Sequence, residues 1–265
     1  MLSRRFDGTA SRTTPDEVVV EEPMEIRLDG HPVATTMRTP GHDFELAVGF
    51  CHADGLIDGI AVQRVRYAGT PASDDGHHGD HAPSIDPGYN VVTVETGGVA
   101  PVPEPRLNTV SAACGLCGSP SIDQLQQRLG AISARPFPLE LLAGMPELVQ
   151  PQQDLFSRTG AIHAAAAFDA DGRVLLVRED IGRHNAVDKV VGNLHLEGLL
   201  PATELGLFVS GRASFEMVQK AWAGGFSALV AVSGPSSMAV SAARTSGMTL
   251  AAFTRNHTLN LYAPG

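Results

Sequence analysis

The sequence predicts an α/β protein with a regular C-terminal core and a smaller N-terminal α+β domain. Two observations predict this organisation: apolar strand segments alternate with helical patterns across residues 157–265, and hairpin signals surround a single helix in the first hundred residues. Strands that alternate with helices at this spacing favour a largely parallel sheet covered by helices on both faces. With 265 residues, 43% of them apolar, the chain is long enough to build both parts.

The N-terminal domain is predicted over residues 18–112, behind a flexible tail at residues 1–17. Two strands between Val18 and Met37 turn at Asp29-Gly30, a dipeptide typical of two-residue hairpin turns. The polar composition of residues 1–17, which are rich in Ser, Thr and Arg, predicts no packed structure there.

One helix and two further strands complete the predicted N-terminal domain. Apolar residues at helical spacing predict a helix over Asp43 to Asp54, with Cys51 as a core residue. Strands are predicted at Ala61 to Ala68 and at Tyr89 to Thr96. Residues 69–88 between them are rich in Gly, Asp and His and predict a disordered insertion, although their histidines could also be read as a metal cluster (His77, His78 and His81).

Linking helices at residues 119–156 lead into the core. Ser119 as the N-cap and Pro120 as the first helical residue predict a helix to Leu129, and a second helical pattern lies near Met145 to Phe156. The core then reads, in order, as a hairpin (Thr159–Asp169 and Gly172–Arg178), a helix from Ile181, a strand from Leu205, a helix from Ala213, a strand (Ala228–Ser233), a helix (Ser236–Thr245) and a last strand (Thr249–Phe253).

The composition excludes several classes of protein. A formal net charge of -10 disfavours a general nucleic-acid binder, which would carry a basic stripe. No uncharged apolar run approaches the roughly 20 residues of a membrane-spanning helix, and the N-terminus lacks the apolar stretch of a secretory signal. Three cysteines in a chain of this length argue against a disulfide framework and predict a cytoplasmic protein.

The sequence S-A-A-C-G-L-C-G at residues 111–118 is the strongest local signal for chemistry. It places Cys114 and Cys117 at C-x-x-C spacing between glycines, just before a predicted helix N-terminus that favours a thiolate. A thiolate is the form that a nucleophile, a metal ligand or a sulfur carrier needs. The preferred interpretation is a mobile loop, residues 113–118, with one nucleophilic sulfur and one helper.

Two alternative interpretations of the C-x-x-C motif stay open. A zinc site normally takes four ligands, and with only Cys51 left the sequence allows just a mixed site with histidines or one shared between subunits. A thioredoxin-like redox pair would require a buried strand directly before the motif, where the sequence has a short apolar segment. No metal ligand is predicted from the remaining sequence.

Basic residues gather where predicted strands end and helices begin. These junctions lie at Asp180–Lys189, Ser210–Ser214 and Gly234–Ser237, and the segment Phe253–Thr258 follows the last predicted strand. Backbone amides and helix dipoles at such junctions attract anions, which predicts a phosphate-bearing ligand. The alternative is that the arginines form surface ion pairs with nearby acidic residues. The candidate residues are Arg183, His184, Lys189, Gly211, Arg212, Ser236, Arg255 and His257.

Five segments together resemble the FdhD family of sulfur carriers, which active formate dehydrogenase requires. They are A-C-G-L-C-G at the cysteine loop, G-A-I-H-A-A-A-A-F from Gly160, R-E-D-I-G-R-H-N-A-V-D-K from Arg178, S-G-R-A-S-F-E-M-V-Q-K from Ser210 and F-T-R-N-H-T from Phe253. The resemblance covers about Val18 to Tyr262. It implies a cytidine-deaminase-like, three-layer core, a smaller preceding domain and a homodimer.

The resemblance also implies a function. A cysteine desulfurase would load sulfur as a persulfide on Cys114, with Cys117 as a helper that either shields the persulfide or expels its sulfur by forming a disulfide. The sulfur would pass to the molybdenum of bis(molybdopterin guanine dinucleotide) before that cofactor enters formate dehydrogenase, and GDP would mimic the cofactor. By motif position, the cofactor-binding segment is Phe253, Thr254, Arg255, Asn256, His257 and Thr258.

The sequence departs from the zinc deaminases, whose chemistry a cytidine-deaminase-like core can suggest. The zinc deaminase signature is H-x-E followed by P-C-x-x-C. Here His163 is followed by Ala164 and Ala165, and the C-x-x-C motif precedes this position. Deaminase chemistry is therefore disfavoured, and the alternative function is a non-catalytic, cofactor-binding chaperone that uses C-x-x-C for a metal or for redox chemistry.

Overall fold

The computed structural model describes residues 1–68, 90–103 and 121–264. The elements within these ranges are, in chain order, β1 (Leu2–Phe6), β2 (Ser11–Pro15), β3 (Glu22–Leu28), β4 (His31–Arg38), α1 (Asp43–Ala53), β5 (Arg64–Tyr67), β6 (Val91–Glu95), α2 (Ile122–Leu129), α3 (Leu139–Val149), α4 (Asp154–Thr159), β7 (His163–Asp169), β8 (Val174–Asp180), α5 (Arg183–Leu196), β9 (Leu205–Val209), α6 (Phe215–Ala223), β10 (Ala228–Ala231), α7 (Ser237–Ser246), β11 (Thr249–Arg255) and β12 (Thr258–Ala263). None of the described helices is both long and apolar enough to cross a membrane.

The α/β core is built on a six-stranded sheet with the strand order β12-β11-β10-β9-β7-β8. Strands β9, β10 and β11 are parallel, whereas β7 is antiparallel to both β8 and β9, and β12 is antiparallel to β11. The prediction of a largely parallel sheet is therefore wrong. The reason is that short turns join β7 to β8 and β11 to β12, and only helical crossovers bring neighbouring strands into parallel pairing.

Helices pack on both faces of this sheet, as predicted. One face packs against α2, α5, α6 and α7, and its core includes Val209, Leu229 and Trp222. The opposite face packs against α3 through residues such as Phe208 and Met145. Successive strand residues alternate between the two cores because side chains in a strand point to opposite faces.

A second sheet, with the order β4-β3-β6-β5, forms from the first hundred residues. The predicted hairpin is confirmed: β3 pairs antiparallel with β4, and Asp29 and Gly30 at the turn have positive φ values of 47° and 85°. The predicted helix is also confirmed as α1, which packs against this sheet in a separate core. Cys51 is fully buried there, and burial raises the pKa of its thiol, so this cysteine is a core residue.

The chain begins with a hairpin where the sequence predicted a flexible tail. Strands β1 and β2 pair antiparallel, and the Asp7 carboxylate accepts hydrogen bonds from the backbone amides of Thr9 and Ala10 in the turn. Most side chains of both strands are exposed. The hairpin therefore gives no apolar alternation, which is the signal that would have predicted it.

The linking helices differ from the prediction in their boundaries. Helix α2 is capped by Ser121 rather than Ser119, and the Ser121 side chain and Gln124 form a reciprocal capping box. The second helical pattern splits into α3 and α4, because Gln153 has a non-helical ψ of 78° between them. Residues 69–88, with their histidines, and the loop 113–118 lie outside the described residues.

Helices α1 and α5 cross at two glycines, which joins the two sheets' cores. A Cβ atom added to Gly49 would lie 1.9 Å from the backbone oxygen of Asp188, and one added to Gly192 would lie 1.8 Å from that of Glu45. Neither position can hold a side chain without moving the helices apart. The crossing is flanked by Arg178, whose guanidinium binds both carboxylate oxygens of Glu45 at 2.5 and 2.7 Å.

A buried polar network around Asp180 holds the same interface. The Lys189 ammonium group lies 2.8 Å from the Asp180 carboxylate and donates to the backbone oxygen of Thr39 at 3.0 Å. Asp180 also accepts hydrogen bonds from the Thr39 amide and from the Asn185 side chain. The Lys189 and Asp180 side chains are 1% and 0% exposed. The network thus ties β4 to β8 and α5, and Lys189 is not available to an anionic ligand.

The second lysine of the chain is buried in the same way. Lys220 of α6 lies 2.6 Å from the Asp188 carboxylate of α5, and its ammonium group is 5.5 Å from the centre of the Phe50 ring of α1. Burial raises the pKa of Asp188 to about 6, although the Lys220 charge acts in the opposite direction. Both lysines of the sequence therefore pair with aspartates inside the fold.

A pair of histidines at the α1–α5–α6 interface makes stability depend on pH. His52 donates from Nε2 to the Ala223 carbonyl at 3.0 Å, and the Nδ1 atoms of His52 and His195 lie 3.3 Å apart. Burial lowers both pKa values below their ordinary value of 6.5, and the His52 charge further lowers the pKa of His195. Because the folded pKa values lie below the unfolded ones, this contribution is present above about pH 6.5 and is lost as the pH falls.

We therefore expect the urea concentration at the midpoint of unfolding to be lower at pH 5.5 than at pH 7.5. The decrease should be smaller in His195→Gln. The variant removes one of the two rings that must be uncharged in the fold. His31→Gln, at the exposed β3–β4 turn, is the matched control and should keep the wild-type pH dependence. An identical pH dependence in His195→Gln and wild type would contradict this assignment.

Candidate functional site

The carboxyl ends of β8, β9, β10 and β11 lie along one edge of the six-stranded sheet, called here the carboxyl edge. These four strands point in the same direction, because β8 and β9 are both antiparallel to β7, and β9, β10 and β11 are parallel. The predicted junctions therefore meet at this edge. It carries the start of α5 at Arg183, the β9–α6 loop at residues 210–214 and the β10–α7 loop at residues 232–236.

Gly211 brings Arg183 and His163 together at the carboxyl edge. A Cβ atom added to Gly211 would lie 3.4 Å from Arg183 Cδ and 3.6 Å from His163 Nδ1. Because Gly211 has no side chain, its backbone lies next to both the Arg183 side chain and the His163 ring. His184 follows Arg183 in the first turn of α5 and is half-buried.

The last segment of the predicted site begins as part of β11. Phe253 has a positive φ of 54°. Its ring packs against Gly234, and a Cβ atom added to Gly234 would lie 2.6 Å from Phe253 Cζ. The β11–β12 register shifts between Ala252 and Arg255, which forms a bulge. Phe253 is 41% exposed at the carboxyl edge, and Thr254 is fully buried behind it.

The other predicted site residues lie in the β11–β12 turn, at the start of β12 and at the N-cap of α7. Asn256 and His257 form the tight β11–β12 turn, where both have positive φ values, and Thr258 starts β12. The His257 ring lies over Gly144 of α3, 3.6 Å from the position of an added Cβ. The Ser236 hydroxyl accepts from the Ala239 amide and caps α7, so its role is at least partly structural. Sequence analysis did not predict β12.

Three arginines at this edge lack a carboxylate partner. Arg183 is half-buried, whereas Arg212 and Arg255 are exposed. Within residues 1–68, 90–103 and 121–264, no salt bridge involves any of them, and Arg183 Nε is buried without a hydrogen bond. Burial lowers the pKa of Arg183, and the nearby Arg212 charge lowers it further, while Glu216 acts in the opposite direction.

Two of the three acidic partners expected for surface ion pairs, Glu179 and Asp180, are engaged elsewhere. Both Glu179 carboxylate oxygens accept backbone amides of α4, at 2.8 Å each. Asp180 belongs to the buried network with Lys189. Glu216 influences Arg183 only at a distance, without a salt bridge. Among the described residues, the three arginines thus gather positive charge at the carboxyl edge without a salt bridge.

The N-terminus of α6 adds further donors for an anion. Ser214 is the N-cap residue, but its side chain caps no amide, and its Oγ atom is buried without a hydrogen-bond partner in the described part of the chain. Free backbone amides and the positive end of the helix dipole favour a negative charge at this position. Arg212 and Ser214 flank the same turn, so the loop has the chemistry of a phosphate site.

The two cysteines of the C-x-x-C motif lie outside the described residues, so the structure tests neither their geometry nor their roles. In the described ranges, no group of three or more His, Cys, Asp or Glu side chains is placed to hold a metal ion. His163, the residue at the position of a deaminase histidine, instead lies 3.3 Å from Ser210 through its Nδ1 atom.

The sequence is similar to a large group of proteins over nearly its full length. The profile of the FdhD/NarQ family matches residues 19–265. A protein of Streptomyces avermitilis named sulfur carrier protein FdhD is 44% identical over 265 residues, covering 97% of this chain and 90% of that protein. A protein of the same name from Corynebacterium efficiens is 41% identical, with coverages of 95% and 90%.

A solved structure shares the fold. It is a crystal structure of a candidate formate dehydrogenase accessory protein from Desulfotalea psychrophila, with a TM-score of 0.72. The match covers 99% of this chain and 95% of the other at 19% sequence identity. At this identity, the similarity supports the mixed α/β fold with its several sheets and carries no conclusion about the site.

Proposed function

The chain belongs to the FdhD/NarQ family, and on this basis we propose that it is a sulfur carrier in formate dehydrogenase maturation. The observation that carries the proposal is the presence of both loop cysteines in a chain that is 44% identical to proteins named sulfur carrier protein FdhD. A glycine-flanked thiol before a helix N-terminus is the chemistry that sulfur transfer requires.

The carrier is proposed to act through a persulfide on Cys114. The Cys114 thiolate attacks the outer sulfur of a persulfide on a cysteine desulfurase, a new S–S bond forms, and the donor cysteine leaves as a thiolate. This exchange needs no outside oxidant or reductant. The proposed acceptor is the molybdenum of bis(molybdopterin guanine dinucleotide), which is the substrate of the transfer. Cys117 is proposed as a helper that shields or steers the persulfide.

The carboxyl edge supports the binding of this dinucleotide. Its pyrophosphate requires cationic and amide donors, and Arg183, Arg212 and Arg255 have no carboxylate partner among the described residues. We propose that the binding residues are Arg183, His184, Gly211, Arg212, Ser236, Phe253, Thr254, Arg255, Asn256, His257 and Thr258. GDP should therefore bind as a mimic of the nucleotide half.

Arg212→Ala and Arg255→Ala should each weaken GDP binding by about 1.5–3 kcal/mol, the value of a charge-assisted hydrogen bond. Isothermal titration calorimetry at fixed salt would measure the two affinities. Arg173→Ala, in the β7–β8 turn where Arg173 pairs with Asp169, is the control and should bind GDP as the wild type does. Unchanged affinity in both edge variants would show that the phosphates bind elsewhere.

Intact-mass analysis after incubation with a desulfurase and cysteine tests the carrier itself. A gain of one sulfur that is lost on reduction supports the proposal. The alternative is a non-catalytic chaperone that binds the cofactor and uses C-x-x-C for a metal or for redox chemistry. That alternative predicts GDP binding without any gain of sulfur.

Three further features belong to the same proposal. The protein acts as a homodimer in the cytoplasm, where thiols remain reduced. Its core is a cytidine-deaminase-like arrangement of three layers, which agrees with helices on both faces of the six-stranded sheet. It delivers its product to formate dehydrogenase.

A further inference from the structure

Two histidines from distant parts of the sequence meet just beyond the crossing of α1 and α5. His52 follows Gly49 by three residues, and His195 follows Gly192 by three residues, so the two helices carry them at equivalent positions. The close approach of the helices at the two glycines fixes the backbone, and the Nδ1 atoms of the two rings lie 3.3 Å apart. No sequence motif pointed to this pair, because its members are 143 residues apart.

The carboxyl ends of three helices converge on this histidine pair. His52 lies in the last turn of α1 and His195 in the last turn of α5. Helix α6 ends at Ala223, whose carbonyl oxygen contacts the His52 ring. The carbonyl groups of a last helical turn carry partial negative charge, which favours a cation. Burial lowers the pKa of both rings, so at neutral pH the rings themselves do not supply that cation.

The Ala223 carbonyl determines which nitrogen of His52 can bind a metal ion. A carbonyl oxygen only accepts hydrogen bonds, so the hydrogen of the neutral His52 ring is on Nε2, 3.0 Å from that oxygen. The Nδ1 atom of His52, which contacts His195, therefore has a free lone pair. A backbone carbonyl on the other ring nitrogen is a usual partner of a metal-binding histidine, because it fixes the tautomer and the orientation of the ring.

His195 can meet this lone pair in two ways. Without a metal ion, its Nδ1–H donates to His52 Nδ1, over a distance of 3.3 Å that is long for a hydrogen bond. The His195 ring is half-buried, and no hydrogen bond holds its Nε2 atom within the described residues, so the ring hydrogen can move to Nε2. Both Nδ1 atoms then offer lone pairs to one cation.

The distance between the two nitrogen atoms fits a tetrahedral zinc ion. With Zn–N bonds of about 2.0–2.1 Å, two ligands of a tetrahedral ion lie about 3.3–3.4 Å apart. Neighbouring ligands of a square-planar or octahedral ion with the same bond length lie only about 2.8–3.0 Å apart. The observed 3.3 Å matches the tetrahedral value. Imidazole suits zinc, whereas magnesium prefers oxygen ligands.

The charged side chains nearest to the pair largely cancel. Burial and the Arg128 charge lower the pKa of His52, while the Ala223 carbonyl and the Asp58 charge raise it. Arg128 and Asp58 form an ion pair with an N–O distance of 3.5 Å. A cation at the histidine pair therefore meets little net charge from these two side chains, and the three helix ends decide the sign of the local field.

We propose that His52 and His195 bind one zinc ion through their Nδ1 atoms. Since no third His, Cys, Asp or Glu of the described residues completes the group, water supplies the other ligands. The ion ties the last turn of α1 to that of α5 and so clamps the interface between the cores of the two sheets. The site lies about 18 Å along α5 from Arg183 at the carboxyl edge, so the proposal does not depend on sulfur transfer.

The test measures zinc binding in a full-length chain that lacks the other candidate ligands noted in the sequence. This background carries five substitutions, all outside the described residues: Cys114→Ser, Cys117→Ser, His77→Gln, His78→Gln and His81→Gln. His52→Gln and His195→Gln each remove one proposed ligand, and His31→Gln at the exposed β3–β4 turn is the matched control. Zinc chloride and magnesium chloride are titrated calorimetrically into each metal-free protein at pH 7.5.

Thermal unfolding supplies a second measurement. Melting temperatures without metal report whether each variant is folded. The change on adding zinc is also compared between wild type and His195→Gln without the five background substitutions. This comparison keeps the test valid if the background itself is unstable.

We expect one zinc ion to bind the background protein and to raise its melting temperature, because a ligand that binds only the native state stabilises it. His52→Gln and His195→Gln should each bind zinc at least about tenfold more weakly, whereas His31→Gln should bind it normally. Magnesium should leave the melting temperature unchanged. The proposal is overturned if zinc does not bind the background protein, if either single variant keeps the full affinity, or if zinc stabilises His195→Gln as much as wild type.

Discussion

Cys114→Ala should abolish sulfur loading and formate dehydrogenase maturation while leaving GDP binding intact. The substitution removes the sulfur that would accept the persulfide, and Cys117, the proposed helper, is not expected to replace it. Loop residues flanked by glycine contribute little to a core, so the fold should be retained. Intact-mass analysis measures the loading, and a maturation assay measures the activity, which we expect to fall to the level without carrier.

Cys51→Ala is the matched control for this experiment. The Cys51 thiol is fully buried in α1, and burial raises its pKa, so it neither reaches a donor nor forms a thiolate readily. This variant should load sulfur as the wild type does. Equal activity of wild type and Cys114→Ala would remove Cys114 from the mechanism and favour the chaperone alternative.

Lys189→Met should lower the free energy of unfolding by about 3–5 kcal/mol, which is typical when one partner of a buried ion pair is removed. The change leaves the Asp180 carboxylate, 0% exposed, without its cation at the junction of β4, β8 and α5. It also removes a donor to the Thr39 carbonyl. Urea unfolding at pH 7.5 gives the free energy directly.

Two comparisons make the result interpretable. Arg173→Met removes one partner of an exposed pair with Asp169, and it should cost less than about 1 kcal/mol. The double variant Asp180→Asn/Lys189→Met should recover part of the loss, because no unpaired charge remains buried. A loss below about 1 kcal/mol in Lys189→Met would mean that the buried pair contributes little to the interface.

Elements with strong local signals could be predicted from the sequence. The Asp29-Gly30 turn dictates its hairpin through backbone conformation, and the apolar pattern of α1 dictates its buried face. The polar strands β1 and β2 give no such signal and were not predicted. Strand β12 (T-L-N-L-Y-A) does alternate polar and apolar residues, and this signal was missed. The mixed sheet was missed because local patterns identify strands, whereas their pairing depends on contacts distant in sequence.

The candidate site was predicted in part for the same reason. The clustering of Arg183, Gly211 and Arg212 at strand ends follows from the alternation of strands and helices, and the structure brings them to one edge. Lys189 in the same sequence block points into the interior instead. The Ser214 hydroxyl, buried without a partner among the described residues, carried no such signal, because its surroundings are known only from the fold.

The burial of both lysines determines how the protein can be chemically labelled. The side chains of Lys189 and Lys220 are only 1% and 9% exposed, and each is held by an aspartate, so amine-reactive reagents meet a folded surface without an accessible side-chain amine. Acylation of either lysine, detected by peptide mapping, therefore reports that the packing around α5 has opened.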